Sequence, residues 1–266
     1  MTVETGGRLQ APPILELRKV SKSFGAVQVL YDVDFHVAPG EVMALVGDNG
    51  AGKSTLIKCI AGIHPIDGGE VVFEGQPVSI HGPKDAADLG IEVVYQDLAL
   101  ADNLDVVQNM YLGREEMGSL LRLDETAMEK RASETLKGLS VTTIKSVRQT
   151  VAWLSGGQRQ SVAVAKAVMW NSRVVILDEP TAALGVAQTK QVLDLVARLG
   201  EQGLAVILIS HNLHDIFQVA DSITVLRLGQ NVAEFKRTET NQQKVVEAIT
   251  AGTLSEVPGQ SSEVIA

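Results

Sequence analysis

Cysteine is almost missing from this chain: Cys59 is the only one among 266 residues. A disulfide within the chain and any cysteine-based zinc or iron–sulfur site are therefore excluded. Cys59 stands in the run Ile57-Lys58-Cys59-Ile60, which predicts a small buried core residue rather than a reactive thiol. Long apolar runs are missing as well. The longest candidates, Val174 to Leu177 and Ala205 to Ile209, fall far short of the roughly 18–20 residues that a bilayer-spanning helix needs. Met1 to Gln10 is polar, without the basic region and apolar stretch of a secretion signal. Basic charge is in deficit: 23 Lys and Arg against 32 Asp and Glu leave a net charge of −9. Nucleic acid is therefore not expected as a partner, because phosphate backbones want a basic face. The profile left is that of a soluble cytosolic protein whose 45% hydrophobic content can fill a large core.

The chain is expected to fold between about residues 14 and 250, with residues 1–13 and 251–266 as loose tails rich in Gly, Ser, Pro and other small residues. Ile14 to Val20 alternates apolar and charged residues and Val27 to Val37 follows, two strands in sequence. After the Pro39-Gly40 turn, Glu41 to Val46 reads as a buried strand, and Ser54 to Ile60 as a helix ending near Gly62. Glu70 to Phe73 and Ile91 to Tyr95 are further strands. From about residue 97 to 165 helical patterns take over, as in Ala127, Met128, Ala132, Leu136 and Leu139 behind an Asp124 cap. Strands return at Val174 to Leu177, Ala205 to Ile209 and Ser222 to Leu228, with helices near Val186 to Leu199 and Leu213 to Val219. Strands alternating with helices predict an α/β fold with a mainly parallel sheet, interrupted by a helical insert. No internal repeat is present.

Gly47-Asp48-Asn49-Gly50-Ala51-Gly52-Lys53-Ser54 fits the phosphate-loop pattern G-x-x-x-x-G-K-[ST], between a strand and a helix as that pattern requires. Its glycines let backbone N–H groups face the β- and γ-phosphates, and the helix adds its positive end. Lys53 reaches the same phosphates, Ser54 offers a hydroxyl to Mg²⁺, and Thr55 completes the nucleotide-binding run. Val174 to Asp178-Glu179 is an apolar strand ending in two carboxylates, at the sheet edge where open α/β folds bind ligands. Leu154-Ser155-Gly156-Gly157-Gln158 opens another helix, whose apolar face includes Val162, Ala165, Val168 and Met169. Ser155 can cap that helix, and its unpaired N–H groups favour an anion.

The Leu-Ser-Gly-Gly-Gln run together with the phosphate loop resembles the ATP-binding cassette family over about residues 14 to 250. The resemblance implies a P-loop NTPase core with an N-terminal antiparallel portion and an inserted helical subdomain. It also implies an ATPase in which Ser155, Gly156, Gly157 and Gln158 of one copy close on the ATP of another, so that a homodimer encloses two ATP sites. Within one chain this pocket has no phosphate to bind. The same resemblance gives Asp178 to Mg²⁺, Glu179 to the attacking water, and His211 in Ile209-Ser210-His211-Asn212 to the γ-phosphate. Gln96 would meet Mg²⁺ and the water while its backbone acts as a hinge. Phe24, one of five phenylalanines, matches the place of an aromatic under the adenine, with core packing as its rival. His214 has no such warrant and is read as a surface residue.

One position departs from the family pattern: Gly185, in Ala182-Ala183-Leu184-Gly185, stands where an Asp usually helps connect the two ATP sites. The run Tyr95 to Leu100 with Asn109 to Glu115, and Gln158 to Ala165, is similar to ATPases of ribose-, xylose- and fructose-type sugar importers. A single cassette resembles the fructose type. That branch implies membrane permease subunits docking beside Gln96 to Gly113, an external sugar-binding protein as an indirect partner, and a peripheral place at the cytoplasmic face of the inner membrane. The alternative is a soluble cassette ATPase of an assembly machine, of the iron–sulfur cluster type.

Overall fold

Every residue of Val42–Val46 is buried in the strand it forms, β3. Successive side chains enter different packing layers: Met43 and Leu45 one cluster, Val42 a second, Ala44 and Val46 a third. A strand covered on both faces needs apolar side chains at every position, which is why the sequence shows a continuous run there. The computed structural model describes residues 12–118 and 122–252. Most of both expected tails lies outside those residues.

Two sheets share the core. The first is antiparallel, in the order β2-β1-β4-β5, from β1 (Leu15–Phe24), β2 (Val27–Val37), β4 (Gly68–Phe73) and β5 (Gln76–Val78). The second has the order β10-β9-β3-β8-β7-β6, from β6 (Ile91–Val94), β7 (Val174–Asp178), β8 (Ala205–Ile209), β9 (Ser222–Arg227) and β10 (Gln230–Lys236). Its strands run parallel except β10, which pairs antiparallel with β9. Between the two sheets lie α1 (Lys53–Ile60), whose Leu56, Ile57, Cys59 and Ile60 are buried, and α2 (Pro83–Asp88). Burial pushes the Cys59 thiol up to about 11, so at neutral pH it is a packing group with almost no thiolate.

The helical insert lies between β6 and β7 and comprises α3 (Val106–Tyr111), α4 (Glu125–Gly138), a single 3-10 turn (Val151–Trp153) and α5 (Gly156–Val168). Asp124 caps α4 by accepting from the Ala127 N–H at 3.0 Å, and Met128, Ala132 and Leu136 form its buried stripe. The insert is fastened to the sheet around Trp170. The Trp170 ring has the guanidiniums of Arg114 and Arg131 at 5.4 and 5.0 Å, and Tyr111 packs edge-on at 5.4 Å. Arg114 in turn bonds Glu92 on β6 at 2.8 Å. On the face of the second sheet opposite α1 run α6 (Val186–Glu201), packed beside the insert, and α7 (Leu213–Val219) and α8 (Gln242–Ala251).

The expected elements are present, with β1 running on to Phe24 and α6 to Glu201. Unforeseen were β5, β10, α2 and α8. β10 follows the Leu228-Gly229 turn, a hairpin signal, and α8 follows Asn241, whose side chain accepts from the Lys244 N–H at 3.0 Å.

Candidate nucleotide site

Register across three strands builds the site. Leu45 of β3 pairs with Ile209 of β8, and Ile209 pairs with Asp178 of β7. The segments that follow these residues carry Gly47, His211 and Glu179, so the three leave the sheet side by side at its carboxyl edge. Gln96 lies two residues beyond Val94, whose partner is Leu177 of β7. The same edge thus receives all four segments.

The phosphate loop leaves β3 at Gly47, where φ is 154° and a Cβ would sit 2.2 Å from the Leu226 carbonyl oxygen. Only glycine fits there. Gly50 and Gly52 have φ of 81° and 101°, and a Cβ on Gly52 would lie 2.8 Å from Leu30 Cδ2 on β2. The loop also touches the β9–β10 turn: the Gly229 N–H donates to the Ala51 carbonyl at 3.0 Å, and Tyr31 N–H to that of Gly229 at 2.8 Å. Inside the loop the Asp48 side chain accepts from Asn49 N–H at 2.7 Å. No side chain caps α1, since Gly52 occupies the cap position. Its leading N–H groups are left for an anion.

Lys53 Nζ donates to the carbonyls of Gly47 at 2.7 Å and Asp48 at 3.0 Å. Burial lowers its pKa, against the charges of Glu179, Asp48 and Asp178. Asp178 moves the other way: burial raises its pKa, the Glu179 carboxylate adds to that, and Lys53 and Lys58 oppose it. Tyr95, just beyond β6, is raised by burial and by the same Asp178 charge. Strand register brings the segments that carry Lys53, Asp178, Glu179 and Tyr95 to the same edge of the sheet.

A carboxyl whose folded pKa exceeds its unfolded value takes up protons on folding, so it costs stability as pH rises through that interval and beyond. Replacing Asp178 with Asn is expected to raise the melting temperature of the nucleotide-free protein at pH 7 by about 1–3 °C. The gain should narrow as pH falls toward about 4. Scanning calorimetry at two pH values tests this, and a lower melting temperature for the variant at pH 7 would refute it.

Glu179 has φ of 51°, and its N–H donates to the Ile209 carbonyl at 2.9 Å. This left-handed kink is uncommon for a non-glycine residue and turns the carboxylate back across the end of β8. There Oε2 lies 2.8 Å from His211 Nδ1, with the Glu179 side chain mostly buried and the imidazole 77% exposed. A second network, not foreseen from the sequence, steadies this pair. Asp215, 3% exposed, accepts from Thr181 Oγ1 at 2.7 Å and from Asn212 Nδ2 at 3.0 Å. It thereby ties the turn after Glu179 to the turn that carries His211. The only hint in the sequence is the cap-type spacing of Asn212 ahead of α7.

Phe24 ends β1 with 44% of its surface exposed, so core packing does not hold it. His64 makes a T-shaped contact with it at 5.0 Å between ring centres, and Lys22 Nζ lies 5.5 Å from the ring centre while bonded to Asp67 at 2.7 Å. Gln96 and Ser54 are exposed, and Thr55 is half-buried in the first turn of α1.

Ser155 and Gln158 form a reciprocal cap on α5, with N···O distances of 2.9 and 3.4 Å. Gln158 Nε2 also donates to the Thr143 carbonyl at 2.6 Å. A Cβ on Gly156 would meet Leu184 Cδ2 at 2.9 Å, and one on Gly157 would meet Gln188 Cβ at 3.1 Å, so both glycines allow α5 to approach the start of α6. Among the described residues no hydrogen bond or ion pair joins this segment to the phosphate loop. At the start of α6, Gly185 supplies no side-chain cap; its N–H reaches Gln188 Oε1 at 3.4 Å.

A phosphate loop at the carboxyl edge of a parallel sheet, with paired acids and a histidine beside it, defines a P-loop nucleotide-binding protein. Comparison with known proteins is more specific. The profile of the ABC transporter family matches residues 30–182. The chain is 48% identical over 226 residues to the fructose import ATP-binding protein FrcA of Rhizobium meliloti, covering 83% of this chain and 87% of that one. It is 45% identical over 244 residues to the xylose/arabinose import ATP-binding protein XylG of Sulfolobus acidocaldarius, covering 92% and 96%. The fold matches a dimeric ATP-binding cassette in a post-hydrolysis state, bound to ADP and Pi, with TM-score 0.69 and 25% identity over 84% of this chain and 98% of that one. The chain belongs to the ABC transporter family, as one of its ATP-binding cassettes.

Proposed function

We propose that this chain is the ATP-hydrolysing, energy-coupling subunit of an importer for a monosaccharide such as fructose or ribose. The single observation that carries the ATPase reading is the 2.8 Å pair of Glu179 and His211 at the strand edge that also bears the phosphate loop. The sugar-import names of the FrcA and XylG relatives support the transport reading, and nothing in the fold favours the assembly-machine alternative.

The loop N–H groups of Gly47 to Ser54 and the Lys53 ammonium bind the triphosphate, and Phe24 stacks beneath the base. Glu179 accepts a proton from the water that attacks the γ-phosphorus. As that bond forms, the bond to the β–γ bridging oxygen breaks and ADP leaves. His211 holds the carboxylate through Nδ1, and its exposed Nε2 is free to meet a γ-phosphate oxygen. Gln96 orients the water at the point where the sheet hands over to the helical insert.

Mg²⁺ fits this site. Among the described residues no cluster of three acids, histidines or cysteines forms a protein cage. One half-buried carboxylate, Asp178, and one exposed hydroxyl, Ser54, with Gln96 at the same sheet edge, are the sparse donors that Mg²⁺ takes together with phosphate and water. When bound, it neutralises charge building on the phosphates.

Two copies face each other head to tail, so that Ser155 and the start of α5 in one meet the γ-phosphate on the other. The dimeric cassette structure supports this arrangement. The homodimer docks peripherally on permease subunits at the cytoplasmic face of the inner membrane, with a sugar-binding protein as the indirect partner. Among the described residues no helix is long and apolar enough to cross a membrane. The test is capture of ATP-loaded Glu179→Gln protein from detergent-solubilised membranes of its host, with partners identified by mass. A multi-span permease encoded beside a sugar-binding protein is the expected partner; recovery of soluble assembly proteins alone would overturn the transport reading.

A further inference from the structure

Trp153 is 79% exposed although its backbone is firmly held between buried Val151 and Leu154. The Trp153 N–H donates to the Thr150 carbonyl at 3.1 Å, and its neighbours Ala152 and Leu154 bond to Asp102 and Val151, each at 3.0 Å. Among the described residues no aromatic ring or cation covers the indole. A large apolar side chain presented to water from a rigid turn is a feature to be explained by what covers it in the working state. Its position says where to look. Trp153 is two residues before Ser155, about 7 Å of extended chain from the cap of α5.

We infer that Trp153 is a specificity-determining wall of the nucleotide site, stacking in the closed homodimer on the base of the ATP held by the other copy. The inference rests on the head-to-tail dimer proposed above. In that dimer the γ-phosphate meets Ser155, and the rest of the nucleotide runs from there toward Phe24 of the copy that binds it. The Phe24 ring is itself 44% exposed. The base then lies between two rings, Phe24 from one copy and Trp153 from its partner. A stack of this kind distinguishes a nucleotide from a bare polyphosphate and makes dimer closure depend on the base as well as the phosphates.

Trp153 and Trp170 are the only tryptophans in the chain. Trp170→Phe keeps a ring between Arg114 and Arg131 and leaves Trp153 as the sole reporter. In Trp170→Phe/Glu179→Gln protein, ATP is expected to quench the emission and shift it to shorter wavelength as the dimer forms by sedimentation. Inorganic triphosphate, which lacks a base, should leave the emission unchanged. In the Glu179→Gln background, Trp153→Ala should weaken ATP-driven dimerisation about tenfold, with Trp153→Tyr restoring most of it. ATP affinity of the dilute monomer and the melting temperature should not move. A dimer that forms with unaltered Trp153 emission, or undiminished by Trp153→Ala, overturns this inference alone. Absence of any ATP-driven dimer overturns the homodimer reading and this inference with it.

Discussion

Glu179→Gln protein is expected to bind ATP at least as tightly as the parent and to hydrolyse it about 10²- to 10⁴-fold more slowly, the usual worth of a positioned proton acceptor. The amide keeps the side-chain volume and still has an oxygen for the His211 contact, now 2.8 Å from Nδ1. It cannot take a proton from water. Binding is spared, or improved, because the substitution removes a negative charge from a site that already holds Asp178 and must accept a triphosphate. Phosphate release under saturating ATP, with affinity from calorimetry, separates the two effects. Turnover near the parental rate would reject Glu179 as the base.

Lys53→Ala protein is expected to bind ATP about 10- to 150-fold more weakly, the range of ~1.5–3 kcal/mol for a lost charge-assisted hydrogen bond. In the nucleotide-free chain the ammonium already sits where phosphates would arrive, bonded to the carbonyls of Gly47 and Asp48. Burial works against its charge there, so part of the cost of desolvating it is met before ATP binds. The rest of the loop has its own fastenings, including the 3.1 Å bond from the Ala51 N–H to the Asp48 carbonyl and the Asn49 bond to the Asp48 side chain. A weaker affinity with an unchanged melting temperature would therefore report the lost contact and not a collapsed loop. Calorimetric titration with ATP measures it, and an unaltered affinity would remove Lys53 from the site.

Most of the fold was legible because its core strands leave unmistakable traces. Val42–Val46 and Ala205–Ile209 are short and wholly apolar, Val174–Asp178 is apolar up to its last residue, and the chemistry lies at or just beyond their ends. The Asp124 and Ser155 caps were readable for the same local reason, since a cap is decided by side chains a few residues apart. Edge elements were harder. β5 is three residues long and mostly exposed, and β10 alternates only weakly in burial. Neither has the apolar content that sets a strand apart from a loop. The Asp215 network was invisible because Thr181 lies 34 residues from it and only the sheet register brings them together. Trp170 was overlooked likewise, as its two guanidinium partners come from separate segments of the insert.

The phosphate loop stands at the seam between the two sheets, pressed on Leu30 of β2 at one end and on Leu226 of β9 at the other, with Gly229 bridging both through Ala51 and Tyr31. By linkage, whatever free energy ATP spends on holding this loop in shape appears equally as resistance of the seam to opening. At a nucleotide concentration a hundred times its Kd, that reinforcement is about 2.7 kcal/mol. ATP is in this sense a structural part of the cassette as well as its substrate: each turnover removes a joint and each reloading restores it.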